Sequence, residues 1–183
     1  MTTHPLATIS VLDQYAKQPF APGYPADHRT FNSPQDTVAG AIATVLKGAQ
    51  QSVVVAMYSF TLPHLAVILW GVIEAGLPTI LVLDKSQFRD AAEQRVLAPI
   101  LEQRHRPTFR LSVGTAEDGY SIMHRKVCVV DNSVCITGSF NWSEAATKED
   151  NQCTIGLWPS DAALLTASIE ATYEYQIAHC PQF

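Results

Sequence analysis

Two kinds of segment alternate along the chain, and this alternation limits the folds that are open to it. Five short segments are rich in β-branched residues and bounded by polar or turn residues, as strands are: 52–59, 78–84, 126–131, 133–138 and 153–158. Segments with helical spacing of apolar residues are 33–50, 63–75, 91–104 and 161–178. This order predicts an α/β fold with a mostly parallel central sheet, an antiparallel hairpin in the second half, and helices on both faces.

The length of the chain and its apolar content favour one domain. The chain has 183 residues, of which 47% are apolar and 16% charged, which suffices for one well-buried core. Residues 1–28 form a separate N-terminal arm, because "KQPFAPGYPADHR" carries three prolines and a glycine that fit neither period. We expect a short helix and then an extended stretch, which packs on the domain, packs on a partner chain, or stays mobile. We expect residues 29–183 to form a single domain, whose first helix is predicted to begin with Ser33 as N-cap and Pro34 at its first position.

The sequence favours a cytoplasmic location and gives no sign of a membrane span. No basic segment leads into an apolar core at the N-terminus, although a periplasmic location stays open. The most apolar run, 62–73, is shorter than the roughly 18 residues that a bilayer requires. The four cysteines include no CxxC pair, so we expect reduced thiols and no structural zinc site.

Charge is distributed unevenly along the chain. The formal net charge is -5, but the segment from Lys85 to Lys126 holds eight basic residues against five acidic ones. The rest of the chain holds four basic residues against twelve acidic ones. The central third could therefore steer phosphates toward one face of the protein, or its arginines could form a solvated surface with their acidic neighbours.

The stretch "MHRKVCVVDNSVCITGSFNWS", residues 123–143, reads as an apolar hairpin that turns at Asn132 and Ser133, yet it carries several isolated polar residues. On a strand His124 and Lys126 share a face, and the residues after the second strand lie beside them. One imidazole, one ammonium, a hydroxyl and an amide suit a phosphodiester anion. The residues predicted for this site are His124, Lys126, Ser139 and Asn141.

The spacing H-x-K-x-x-x-x-D at His124, Lys126 and Asp131 resembles the motif of the phospholipase D superfamily, the HKD phosphodiesterases. "GSFNWS" at 138–143 and "DNQCTIG" at 150–156 follow it in the order that this superfamily shows. "FNSPQDTVAGAIATVLKGAQQSVVVAMYSFT" and "ILVLDKSQ" are similar to the small bacterial single-motif endonucleases, so the resemblance covers about residues 31–178.

The resemblance implies a reaction in two displacements. One neutral histidine attacks phosphorus to give a phosphohistidine, and a second, protonated histidine donates a proton to the leaving oxygen. Lysine and asparagine hold the phosphoryl oxygens, so no metal ion and no cofactor is implied. None of the other five histidines is followed two residues later by lysine, so the chain carries half a site. We therefore expect a homodimer with the active site on its two-fold axis.

The resemblance also suggests a role for each residue. His124 is the nucleophile or general acid, and Lys126, Ser139 and Asn141 bind the phosphate. Asp131 is assigned to the catalytic set, although a structural role at the hairpin turn is at least as consistent with its position. Asp150 is the acid that orients the histidine ring, with Glu149 as the alternative if the alignment shifts; the superfamily more often has glutamate there.

Three functions from different classes follow. The first is a metal-independent phosphodiesterase that acts as an endonuclease of low specificity on DNA, with RNA as a further substrate. The second is a phospholipase D-type lipid phosphodiesterase, although no lysine-rich amphipathic helix for a membrane surface is evident. The third is a catalytically silent nucleic-acid-binding or regulatory dimer, which the intact His124 and Lys126 argue against.

Overall fold

All five predicted strands form, and two further strands complete the sheet. The computed structural model describes residue 6, residues 8–117 and residues 120–182. Within these residues the strands are β1 (His28–Ser33), β2 (Val53–Met57), β3 (Thr79–Asp84), β4 (Phe109–Gly114), β5 (Lys126–Val130), β6 (Val134–Gly138) and β7 (Asn151–Leu157). The α-helices are α1 (Val38–Lys47), α2 (Pro63–Glu74), α3 (Lys85–Phe88), α4 (Ala91–Leu101) and α5 (Pro159–His179).

The strand order across the sheet is β1-β7-β6-β5-β2-β3-β4. The predicted α/β fold with helices on both faces is confirmed, but the sheet is mixed and not mostly parallel. Only β2 with β3 and β3 with β4 pair in parallel, and the other four pairs are antiparallel. The short turn between β5 and β6 forces antiparallel pairing, because a parallel pair needs a long crossover.

Helices cover both faces of the sheet, and strands β2 and β3 are buried on both sides. Helices α1, α2 and α4 pack on one face, where they share a core with β2 and the β5–β6 hairpin. Helix α5 covers the other face through Ala162 and Ile169. Every residue of β2 and β3 is buried. Burial on both faces explains why "VVVAM" and "TILVLD" are almost continuously apolar.

The described part of the N-terminal arm packs on its own domain. A 3-10 helix spans Ile9–Tyr15, and its Ile9 and Leu12 are buried in the core that lies under α1. Asp13 accepts a hydrogen bond of 2.6 Å from Arg29 at the start of β1. These contacts favour the first of the three alternatives for the arm, while residues 1–5 and 7 lie outside the described residues.

The β5–β6 hairpin turns one residue earlier than predicted. Asp131 and Asn132 have φ values of 53° and 49°, and Ser133 N–H donates to the Val130 carbonyl at 3.2 Å. Asn and Asp tolerate this left-handed conformation better than Ser does, which places them at the turn. The four cysteines are free thiols, and three of them are buried.

The first α-helix begins at Val38, not at the predicted Ser33 and Pro34. Ser33 ends β1 and is paired with Asn151 of β7. Its hydroxyl donates to the carbonyls of Ala146 and Glu149, each at 2.8 Å. Pairing with a segment far along the chain thus overrides a local signal that resembles a helix cap.

Strand β4 lies at one edge of the sheet, and the side chain of Gln182 covers part of its outer side. Val113 N–H donates to Gln182 Oε1 at 3.1 Å, and Gln182 Nε2 donates to the Val113 carbonyl at 3.3 Å. The side-chain amide therefore satisfies two backbone groups that the edge strand would otherwise expose. In the described part of the chain, no helix has the length and apolar character needed to cross a bilayer.

Candidate active site

The polar residues of the motif region gather at one edge of the sheet. The carboxyl ends of β2, β3 and β6 and the amino ends of β5 and β7 meet there, because β5 and β7 run opposite to the others. The residues placed at this edge are Tyr58 after β2, Asp84 at the end of β3, His124 and Lys126 at the start of β5, Ser139 and Asn141 after β6, and Asp150 before β7.

Lys126 has a buried ammonium group, and few groups of the protein offset its positive charge. Only 8% of the residue is exposed, and its Nζ donates to the His124 carbonyl at 2.9 Å. Nζ also lies 4.6 Å from the centre of the Tyr58 ring, a cation–π contact. Among the described residues no carboxylate forms an ion pair with Lys126. Burial lowers the pKa of Lys126 to about 8, and the negative charge of Asp84 acts in the opposite direction. The group stays charged at neutral pH and is available to an anion.

His124 precedes the strand and is exposed to solvent. Its ring contacts the Tyr58 ring edge-on at a centroid distance of 4.4 Å. Desolvation lowers the pKa of His124, the positive charge of Lys126 lowers it further, and Asp84 opposes both effects. A lowered pKa leaves the imidazole neutral near pH 7. The neutral form is the one that can attack phosphorus.

Asp84 fixes the backbone next to His124, although the sequence alone did not single it out. Its buried carboxylate accepts the Met123 N–H at 2.7 Å, one residue before His124. The same carboxylate caps α3 by accepting the N–H groups of Ser86 and Gln87. Gln87 in turn donates to the Tyr58 hydroxyl at 3.0 Å, which holds the ring that touches His124. The available signal was an aspartate at a strand end directly before a helix.

The "GSFN" segment after β6 requires a glycine at its start. Gly138 has a φ of 149°, and a Cβ there would collide with the backbone oxygen of Gln152. Ser139 is tied to the same residue, because its N–H donates to the Gln152 carbonyl and its hydroxyl accepts the Gln152 N–H at 3.0 Å. The hydroxyl hydrogen of Ser139 remains available to donate to a phosphate oxygen.

Asn141 lies in a segment that crosses over the start of β5. Trp142 follows it, and the Trp142 carbonyl accepts N–H groups of Thr61 and Leu62 after β2, each at 2.8 Å. Because β5 lies between β6 and β2, this crossing covers the end of the sheet at Lys126. Asn141 Oδ1 is buried and has no hydrogen-bond partner among the described residues. Oδ1 is an acceptor, so the group of this side chain that can donate to a phosphate oxygen is its Nδ2 amide.

Glu93 of α4 lies behind this crossing and was also missed. Its Oε2 accepts the Phe60 N–H at 2.9 Å, whereas its Oε1 is buried with no partner in the described part of the chain. Burial raises the pKa of Glu93 to about 7, with a smaller contribution from Asp90 and Asp84. Phe60 packs edge-on against Trp142, so Glu93 supports the segment that carries Asn141.

Asp131 lies at the opposite end of β5 from the other motif residues. It lies five positions after Lys126, which is a distance of roughly 16 Å along a strand. Its carboxylate accepts the backbone N–H groups of Gln50, Gln51 and Ser52 at 3.0, 2.7 and 3.0 Å. This geometry removes Asp131 from direct contact with a substrate bound at His124 and supports the structural role that the sequence left open.

Asp150 and Glu149 are both exposed just before β7. Among the described residues of this chain, neither forms a hydrogen bond or an ion pair with His124. Glu149 is held through its backbone, since its N–H donates to the Ala145 carbonyl at 3.1 Å and its carbonyl accepts the Ser33 hydroxyl at 2.8 Å. The assignment of an acid that orients the histidine ring therefore stays a prediction.

Comparison with known proteins identifies a family and several solved structures that are similar to this chain. Residues 42–171, which include every predicted site residue, match the family described as cardiolipin synthase, PLD-like domain. A comparison with curated protein sequences gives no match. Nuc from Salmonella typhimurium, a phospholipase D family member, is 23% identical with a TM-score of 0.72, over 81% of this chain and 94% of Nuc.

Two further solved structures share the fold. NucT from Helicobacter pylori is 21% identical with a TM-score of 0.68, over 85% of this chain and 98% of NucT. Phosphatidylserine synthase from Haemophilus influenzae Rd KW20 is 14% identical with a TM-score of 0.59, over 83% of this chain and 38% of the synthase. The predicted relationship is thus confirmed, and the chain belongs to the phospholipase D-like family.

Proposed function

We propose that the protein is a metal-independent phosphodiesterase that hydrolyses nucleic acid as an endonuclease of low sequence specificity. DNA is the expected substrate, and RNA is a further one. The observation that carries this proposal is that the His124 imidazole and the Lys126 ammonium contact the same Tyr58 ring, and that the ammonium has no carboxylate partner in the described residues. Such a pair combines a nucleophile with a charge that binds phosphate.

The proposed reaction uses these groups in the two displacements that the resemblance to the HKD phosphodiesterases implies. A nitrogen of neutral His124 attacks phosphorus, a P–N bond forms, and the P–O bond to the leaving group breaks. A protonated second histidine gives its proton to the leaving oxygen. Water then attacks the phosphohistidine, its proton returns to the second histidine, and the P–N bond breaks. Lys126, Ser139 and Asn141 stabilise the charge on the phosphoryl oxygens throughout. A cationic binding group of this kind does the work that a metal ion does in other nucleases.

The second histidine would come from His124 of the partner subunit, which makes a homodimer part of the proposal. The surface beside His124 supports such an interface, because Tyr120 is 96% exposed and Ile122 is 48% exposed. Large apolar side chains in that position are expected at a contact between proteins. Two-fold pairing would bring two imidazoles and two ammonium groups to one phosphate.

Charge at the site supports a polyanionic substrate. Part of the basic central third is neutralised, since Arg110 pairs with Glu170 and Glu174 on α5. By contrast, Lys85 and Arg89 follow β3 at the site edge and are exposed. Asp118, which entered the charge balance, lies outside the described residues. Basic side chains along this edge would attract the nucleic acid backbone that flanks the scissile phosphate.

A lipid phosphodiesterase is the second candidate function. It is favoured by the description of the matching family as cardiolipin synthase and by the likeness to a phosphatidylserine synthase. A phosphodiester in a lipid head group presents the same anion to Lys126 and Asn141. Nucleic acid is preferred because of the resemblance to the small bacterial endonucleases. A cytoplasmic location, which four free thiols suit, is likewise proposed.

The proposal is tested with a substrate panel in the presence of EDTA. Plasmid, single-stranded DNA, RNA and phosphatidylcholine vesicles are compared, and acid-labile phosphate on His124 is trapped and located by mass spectrometry. Cleavage of nucleic acid in EDTA with label on His124 is the expected result. Cleavage of phosphatidylcholine alone would establish the lipid alternative, and turnover only with added metal would contradict the mechanism. Light scattering tests the dimer, and a monomer with full activity would contradict the shared site.

A further inference from the structure

A second pocket opens at the same edge of the sheet as His124, about three strands away. Its volume is about 400 Å³, which lies within the range of small-molecule sites. The C-terminal end of α5 forms one side, and the segments after β3 and β4 form the other. The lining side chains that matter here are basic or aromatic: Lys85, Phe88, Arg89, Tyr175 and His179.

The wall that α5 contributes is held firmly against the sheet. Gln176 is buried, and its Nε2 donates to the Thr115 carbonyl at 3.0 Å. Gly114 permits this close approach, because a Cβ there would lie 2.6 Å from Gln176 Cγ and 2.7 Å from Cys180 Sγ. The pocket is therefore a preformed feature of the fold and not a gap between mobile segments.

The pocket is linked to the catalytic edge through Asp84. This carboxylate binds the backbone of Met123 next to His124 and also caps α3, which begins with Lys85. The strands β5, β2, β3 and β4 are consecutive neighbours, so the ends of β5 and β4 are about 14 Å apart. A strand of nucleic acid bound at His124 that runs along this edge would reach the pocket within a few nucleotides.

The chemistry of the lining fits an aromatic anion. Tyr175 and His179 are stacked, with centroids 4.4 Å apart and ring planes at 19°. His179 Nδ1 lies 2.9 Å from the Tyr175 carbonyl, so it carries the hydrogen and leaves Nε2 for another partner. Lys85 and Arg89 are exposed, and neither has an ion-pair partner among the described residues. Among the described residues that line the pocket, none carries a carboxylate.

We propose that this pocket binds a nucleotide of the substrate that flanks the scissile phosphodiester. The base would stack on the ring pair formed by Tyr175 and His179, and Lys85 and Arg89 would bind its phosphate. Stacking does not depend on base identity, so the pocket adds affinity with little sequence preference. This inference rests on the proposed nuclease function and extends it to how a single strand is held.

The test uses the full chain in two backgrounds. In a His124→Ala background, binding of a short labelled single-stranded oligonucleotide is measured, with AMP and inorganic phosphate as competitors. In the active background, kcat/KM is measured for the oligonucleotide and for bis(para-nitrophenyl) phosphate, which is too small to span both sites. Tyr175→Leu and Lys85→Gln are expected to weaken oligonucleotide binding and kcat/KM each by about tenfold. The small diester should be hydrolysed at an unchanged rate.

Two matched variants separate the pocket from general effects. Tyr175→Phe keeps the ring and should bind like the unaltered protein, whereas Lys47→Gln removes an equal charge from the end of α1 and should have little effect. Equal losses in Lys85→Gln and Lys47→Gln, or unchanged binding in Tyr175→Leu, would overturn the proposal. Competition by inorganic phosphate as strong as that by AMP would overturn the role of the base.

The outcomes also distinguish the pocket from the proposed function. If Tyr175→Leu does not change hydrolysis of the oligonucleotide, the proposed role of the pocket is contradicted and the proposed nuclease function is unaffected. If oligonucleotide binding depends on Tyr175 but the protein cleaves none of these substrates, the proposed role of the pocket is supported and the proposed nuclease function is contradicted. Thermal unfolding of each variant confirms that the fold is retained.

Discussion

The two ends of strand β5 carry charged residues of one sequence motif, yet they treat those charges in opposite ways. At the amino end, Lys126 is buried with one carbonyl acceptor and an aromatic face, and His124 is exposed beside it. At the carboxyl end, Asp131 accepts N–H groups from three consecutive residues. The amino end therefore keeps charge and hydrogen-bonding groups for a ligand. At the carboxyl end, the backbone of the protein occupies the hydrogen-bonding positions.

This difference shows how a polar motif residue can be assigned to chemistry or to structure. A charge whose hydrogen-bonding positions are filled by the backbone stabilises the native chain and has little left to offer a substrate. A buried charge that lacks an opposite charge is costly to folding and is retained where a ligand completes it. Residues of one sequence motif can therefore have different roles, one in chemistry and another in stability.

The largest expected effect is at the amino end. His124→Ala removes the nucleophile and should lower kcat on nucleic acid by on the order of 10⁴-fold or more. Stability should change little, because the side chain is exposed and a surface change usually costs less than about 0.5 kcal/mol. His105→Ala serves as the control, because His105 is exposed and precedes β4 at the sheet edge opposite to the site. Activity retained in His124→Ala would break the assignment of chemistry to this end.

Asp131→Ala should show the reverse pattern. Three backbone N–H groups lose their charged acceptor, and alanine is strained at a φ of 53°, so the free energy of unfolding should fall by about 3 kcal/mol. The folded fraction should keep nearly normal kcat/KM. Asp131→Asn, which tolerates that φ and keeps one acceptor oxygen, should lose less. Urea unfolding monitored with activity checks this, and a large loss of kcat at full folding would return Asp131 to the catalytic set.

Glu93 extends the comparison to a buried carboxyl that is not fully paired. In the folded protein its pKa is raised from 4.5 to about 7, so the native state holds the proton where the unfolded chain has released it. The stabilisation is complete below pH 4.5 and is lost as the pH rises through 7. Between pH 5 and pH 8 it should decline by about 2 kcal/mol. Glu93→Gln should remove this part of the pH dependence in urea unfolding, and an unchanged slope would mean that another group causes the decline.

The smallest effect concerns the pH profile of the free enzyme. Because the pKa of Lys126 is about 8, kcat/KM should decline above that pH, by up to tenfold per unit. The lowered pKa of His124 places the acidic limb below the ordinary value of 6.5. Lys126→Arg should keep any residual activity to higher pH, since a guanidinium stays charged. An alkaline limb that persists in Lys126→Arg belongs to another group, such as the second histidine.

Sequence reasoning found the buried strands and missed both edge strands. The segments "VVVAM" and "TILVLD" are apolar because the sheet buries both their faces, so their composition reveals them. By contrast, β1 reads "HRTFNS" and β4 reads "FRLSVG", since strands with one neighbour tolerate polar residues. Their identity depends on pairing with distant segments, which no local pattern records.

The candidate site was recognised where the chemistry is local and missed where it comes from other strands. His124, Lys126, Ser139 and Asn141 lie within one hairpin and its exit, so spacing alone brings them together. Asp84, Tyr58 and Glu93 reach the site only because β2 and β3 end, and α4 begins, at the same edge. In the sequence these three residues are 26 and 9 positions apart, and no spacing links them to the hairpin.

The side-chain amide of Gln182 on Val113 has a consequence for behaviour in solution. An outermost strand with free peptide groups invites a strand from another molecule, and repetition of that contact builds fibres. Here the side-chain amide of Gln182 makes the two hydrogen bonds that the backbone of an added strand would make to Val113. Growth of the sheet from molecule to molecule is blocked at that position by two hydrogen bonds.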